Sequence, residues 1–185
     1  EVDLNYFHNW MSVRANSGGL LFQKGSHDFD LFNWFAGGVP ERVAAFGGLD
    51  HYGGGRPDDL HCTECEERTT CPEAVRPRAM TFPREGKGGT PNREQTKCVF
   101  RKEIDVYDNH VVNLLYANGV KGSYTEIHGS PLPQRRFVLF GQKGRLEFEI
   151  HDNWLLWLPR DGREPERWSA QVPAGSHGGA DTGLI

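Results

Sequence analysis

The chain has 185 residues, 37% hydrophobic and 25% charged, with a formal charge of −4; this excludes a disordered chain and fits a soluble globular protein able to bury a core. Basic and acidic residues are interspersed, which excludes the one-sided basic face of a nucleic-acid binder, and no apolar run approaches the roughly 20 residues that span a bilayer. The opening Glu1-Val2-Asp3-Leu4 carries no signal-peptide pattern, so the expected compartment is the cytoplasm, and the polar start and the end on Thr182-Gly183-Leu184-Ile185 read as a piece of something longer.

Residues 2–16 hold Tyr6, Phe7, Trp10, Met11 and Val13 among polar groups, a short helical or irregular docking piece. A single long helix is expected over 17–36, with Ser17 as its N-cap and Gly37-Gly38 and Pro40 as its stop. Gln23, Lys24, His27 and Asp30 interrupt its apolar run. Their spacings of three and four residues stack them on adjoining parts of one helical face. Polar groups buried without partners are costly, so an amide, an ammonium, an imidazole and a carboxylate beside Leu20, Leu21, Phe29 and Phe32 are expected to line a pocket.

Residues 41–49 read as extended, with a soft alternation. From His51 to Lys97 the composition changes to glycine, proline and charge, an irregular excursion long enough to need a function or a staple. Strand signals resume after Cys98. Residues 104–117 and 120–128 flank Asn118-Gly119, the strongest hairpin turn in the chain. Residues 135–140 and 145–150 form a second pair, and 154–158 and 166–169 a third around Asp161-Gly162. Consecutive hairpins imply an antiparallel sheet, and the early helix is expected to cover one face of it. Trp154 and Trp157, three apart in a strand, fall on opposite faces.

The cysteines are the second informative feature. Cys62 and Cys65 stand at a Cys-x-x-Cys spacing, which fits two corners of a tetrahedron, and Cys71 and Cys98 would complete a four-sulfur structural zinc site. His61 is a possible substitute for one sulfur. The spacing fits no ferredoxin pattern closely, so zinc is favoured over iron–sulfur. Four reduced thiols, or two labile disulfides, are the competing readings.

Several ordered blocks carry a resemblance. Gly18-Gly19-Leu20-Leu21 with Lys24-Gly25-Ser26-His27-Asp28-Phe29-Asp30 and Asn33-Trp34 resembles the catalytic helix of the Gfo/Idh/MocA oxidoreductases. Val43-Ala44-Ala45-Phe46-Gly47-Gly48 resembles the strand that follows it. Tyr107 to Asn113 with Tyr116 to Val120 resembles the family's hairpin, Phe140 to Glu147 its next turn, and His177 to Asp181 a glycine-rich loop.

The resemblance implies an α+β fold, a large, mostly antiparallel open sheet with the long helix packed on one face. It implies a single substrate-side C-terminal domain over 1–185, with 51–97 as its cysteine-containing excursion and a closing helix beyond Ile185. No Gly-x-Gly-x-x-Gly turn lies between a strand and a helix, so the nucleotide-binding Rossmann domain is absent from this chain. The family's lysine motif is absent with it. NAD or NADP would be held mainly by that other domain, and the isolated chain is expected to be inactive.

By the same resemblance, His27 takes the place of the catalytic histidine, with Lys24 beside it. Gln23, Asp30, His177 and Asp181 are substrate-binding candidates. Many members carry an aspartate where this chain has Gln23, and glutamine cannot act as a base. The implied substrate is a sugar, inositol or related polyol, and the implied assembly a homo-oligomer through the open sheet. A nicotinamide-dependent glycosidase of the same family and a non-catalytic, zinc-stapled oligomerisation module are the alternatives.

Overall fold

The computed structural model describes residues 6–75, 93–130, 134–169 and 171. The chain forms two compact units that divide between Ser130 and Pro131.

The first unit begins with two short 3-10 turns, Tyr6–His8 and Trp10–Ser12, and a one-turn helix α1, Arg14–Ser17. Gly18 and Gly19 follow with φ of +76° and +98°, a left-handed pair that a residue with a Cβ would not adopt readily. This pair corrects the expected helix start. Ser17 ends α1 instead of capping a longer helix, and its Oγ accepts the Gly19 N–H at 3.1 Å. The helical chain restarts beyond the glycines with a π-helical turn, Leu21–Gly25, and continues as α2, Ser26–Ala36. The stop is as expected: Gly37 is left-handed, and the N–H groups of Gly37 and Gly38 both reach the Asn33 carbonyl, which satisfies the last turn.

Strand β1 (Pro40–Gly48), β2 (Asn109–Tyr116) and β3 (Lys121–Ile127) form an antiparallel sheet in the order β1-β2-β3. The Asn118-Gly119 turn closes β2 on β3, with Gly119 N–H on Tyr116 O at 2.9 Å. Alternation along β2 turns Val112, Leu114 and Tyr116 to one face, where Leu21, Phe29 and Phe32 of the helical segment and Tyr124 of β3 pack. Two side-chain bonds lock the helix end: Tyr116 Oη donates to Asn33 Oδ1 at 3.0 Å and Asn118 Nδ2 to Ala36 O at 2.7 Å. The opposite face stays open, with Phe46 at 75%, Ile127 at 61% and Val111 at 40% exposure.

The strand expected from Ile104 begins only at Asn109. Ile104 and Val106 instead enter a second core with Tyr6, Phe7, Leu20 and Val99. In the ladder's place, Asp108 gathers backbone donors: the N–H groups of Asp50, His51 and Tyr52 reach its carboxylate at 3.1, 2.8 and 2.8 Å. Arg101, with no exposed surface, plays the same part with opposite polarity. Its guanidinium donates to the carbonyls of Phe7, Cys98 and Asn9, to Ser12 Oγ and to the Glu103 carboxylate. The described parts of the excursion are turns and bends with one 3-10 turn, Arg93–Gln95; the isolated pairing of Arg56 with Arg101 joins it to the unit, and that of His61 with Lys97 draws its two ends together.

The second unit is an antiparallel meander of β4 (Arg136–Phe140), β5 (Gly144–Glu149), β6 (Trp154–Pro159) and β7 (Glu166–Ser169), in sheet order β4-β5-β6-β7. Glu147 is buried between Arg136 and Arg145 and paired with both. The expected α+β class with antiparallel hairpins is therefore what the chain adopts, the seven strands among the described residues shared between a three-stranded and a four-stranded sheet.

Candidate functional site

The helical segment places its polar strip unevenly. Leu20 is buried in the core, and Gly25 sits so close to Leu21 and Phe29 that an added Cβ would lie 3.2 and 3.3 Å from them. The π-turn, a feature often found at functional sites, carries Gln23 and Lys24, both half-buried, while His27 and Asp30 on α2 are exposed. Gln23 Nε2 donates to Met11 Sδ at 3.2 Å, and its Oε1 is buried without a hydrogen-bond partner among the described residues. Among the described residues no hydrogen bond joins His27 to Asp30 or to Lys24. The carboxylate that the sheet holds is Asp28, which accepts from Tyr124 Oη at 3.2 Å. His177 and Asp181 lie outside the described residues.

A cavity that sequence reasoning missed opens where β2 begins and β3 ends. Asp50, His51, Asp108, Asn109, His110, Thr125 and His128 help to line a volume of about 360 Å³. Strand alternation puts His110 on the same sheet face as Val112, and its Nδ1 stands 3.5 Å from Glu126 Oε2. Burial would raise the Asp108 pKa, but the N–H groups of Tyr52, His51 and Asp50 and the Asn109 amide together outweigh it and hold the carboxyl below its ordinary value. The signal was present in the run Asp108-Asn109-His110, which reads as part of a strand until the ladder is seen to start after it.

All four cysteines line one small cavity, together with Arg68, Glu73 and Phe100. They are free thiols, Cys62 and Cys98 buried and Cys65 and Cys71 partly so. Burial, ahead of the mutual repulsion with the other thiolates, pushes the Cys62 and Cys98 thiols up. His61 does not join them; its Nδ1 pairs with Thr96 Oγ1 at 3.0 Å. As the side chains stand, no three of His, Cys, Asp and Glu among the described residues converge closely enough to hold a metal ion. No described helix is long and apolar enough to cross a membrane.

Comparison with known proteins shows the family. The GFO/IDH/MocA C-terminal domain family matches residues 2–147. This chain belongs to that family. A curated relative, "Putative oxidoreductase YteT" of Bacillus subtilis (strain 168), is 32% identical over 80% of this chain and 39% of its own length. The chain thus spans about two fifths of that relative. The crystal structure of an oxidoreductase domain protein from Kribbella flavida superposes with a TM-score of 0.53 at 16% identity, over 88% of this chain and 38% of that one. At that identity the likeness speaks for the fold alone.

Proposed function

We propose that this chain is the substrate-binding and catalytic C-terminal domain of an NAD(P)-dependent oxidoreductase that acts on a sugar, inositol or related polyol. The observation that carries the reading is His27 exposed at the start of α2, directly after a π-turn that holds Lys24 half-buried. An imidazole nitrogen carries a basic lone pair, so a ring nitrogen of His27 is suited to take the hydroxyl proton of an alcohol. The Lys24 ammonium favours the alkoxide that develops as that proton leaves. Asp30, exposed one turn on, offers an acceptor to a substrate hydroxyl. Gln23 contributes shape and hydrogen bonding, since a side-chain amide neither takes up nor releases a proton near neutral pH.

These donors fit proton transfer and hydroxyl binding, and none of them forms a dinucleotide cradle. The nicotinamide, bound mainly by another domain, would supply the hydride acceptor. The cavity at Asp50, His51, Asn109, His110 and Thr125, which Val111 and Ile127 also line, gives further support. Its volume lies in the range of small-ligand sites, and its carboxylate, imidazole, amide and hydroxyl groups are those that bind polyols. The open face of the β1-β2-β3 sheet, with Phe46 and Val111 paired across it, is the surface on which a second copy would pack.

The test is nicotinamide reduction at 340 nm by a protein that joins this chain to a nicotinamide-binding domain. Polyols and cyclitols should reduce NAD or NADP at saturable rates. Turnover confined to chromogenic glycosides, or none with any polyol, contradicts the reading.

A further inference from the structure

The excursion that begins at His51 has little apolar material to hold it, yet its backbone is brought to one place. Cys62 N–H donates to Thr96 O at 2.7 Å and Cys98 N–H to Leu60 O at 2.8 Å. These bonds flank the antiparallel pairing of His61 with Lys97 and put Cys62 and Cys98 diagonally across it on one face. The turn closed by Glu64 N–H on His61 O at 3.0 Å brings Cys65 back towards Cys62, and Cys71 N–H on Glu67 O at 2.8 Å returns Cys71. Residues 36 positions apart in sequence, Cys62 and Cys98, thus share one wall with the other two.

The shared cavity measures about 20 Å³, the space of a single water or ion. Its size leaves no room for an organic ligand. Its wall contains every cysteine of the chain, 4 in all, and none is paired in a disulfide. Four cysteines in the wall of a one-atom space offer a soft donor set once their sulfurs turn inward, and soft tetrahedral sites select zinc over calcium or magnesium.

We infer that Cys62, Cys65, Cys71 and Cys98 bind one zinc ion as four thiolates, a structural site that staples the excursion to the strand-side segment around Cys98. On binding, each thiol gives its proton to solvent and each sulfur donates one lone pair to the metal, so four protons leave per zinc. The side chains must turn inward from where they stand to reach a common point, and the metal drives that closure. Arg68, in the same wall, offsets part of the net negative charge of a zinc tetrathiolate. With four protein ligands the metal has no open position and takes no part in substrate chemistry. The inference is independent of the oxidoreductase reading.

The test is metal analysis of the full chain, expressed in zinc-replete medium and purified under reducing conditions. The expected result is about one zinc per chain, released on modification of the thiols. Replacement by cobalt should give the near-ultraviolet thiolate-to-metal band and intense visible bands of a tetrahedral site. Cys71→Ser and Cys98→Ser should each reduce bound zinc severalfold. If those variants fail to fold, the cobalt spectrum of the unaltered chain decides. Metal far below one per chain, two disulfides under reducing conditions, or an octahedral cobalt spectrum overturns the inference, as does full zinc content in folded serine variants.

Discussion

Arg101 is fully buried and donates to three carbonyls, one hydroxyl and one carboxylate, so its removal would orphan acceptors from both the N-terminal segment and Cys98. Leaving buried acceptors without their donor costs about 1–3 kcal/mol for each group left unsatisfied, so a loss of several kcal/mol in all. Arg101→Met is expected to lose stability of that order in urea unfolding, and Arg101→Lys to recover only part, because an ammonium lacks the guanidinium fork. Asp108 is the matching anion. Its folded pKa is depressed, so its contribution is complete above the unfolded carboxylate value and is lost as pH falls through the folded one. The stability gap between wild type and Asp108→Asn should therefore be widest near pH 7 and close on acidification below about pH 4. A gap that stays constant to pH 2 contradicts this. Neither residue was legible beforehand, because Arg and Asp read as surface residues by type. The cysteine spacing made one thing legible, that the four thiols share one cavity wall.

At the scale of elements, the helix and its sheet depend on a close approach. A Cβ at Gly122 of β3 would lie 2.9 Å from two atoms of the Phe32 ring, so any side chain there pushes α2 away from the sheet. Gly122→Ala is expected to cost about 1–3 kcal/mol, read as a lower thermal midpoint. An unchanged midpoint would mean that the ring yields freely. The hairpins were readable because Asn118-Gly119 and Asp161-Gly162 state their turn chemistry locally. The helix start was misread for an equally physical reason. Ser17 followed by an apolar run imitates an N-cap, and only the backbone shows that Gly18-Gly19 are left-handed and that the helix begins after them. The cavity at His110 was hidden because its residues come from a loop, a strand start and a strand end that are distant in sequence.

For the whole molecule, the blocks around His27, Phe46, Asn118 and Phe140 were enough to place the family, since each is a local motif in a fixed order. What they did not convey was how the strands partition between sheets, which depends on long-range pairing. The open face around Phe46, Val111 and Ile127 is expected to hold a second copy. Light scattering should give a dimer or larger species, and Phe46→Glu should shift it towards the monomer without loss of fold. A wild-type monomer at tens of micromolar contradicts the assembly. Transfer of the substrate proton by His27 is put to the test by steady-state kinetics of His27→Ala in a protein that also carries the nicotinamide-binding domain. The expected result is a fall in kcat/KM of about a hundred- to ten-thousand-fold, with nicotinamide affinity and thermal midpoint unchanged. Wild-type kcat/KM in a folded His27→Ala protein would contradict it.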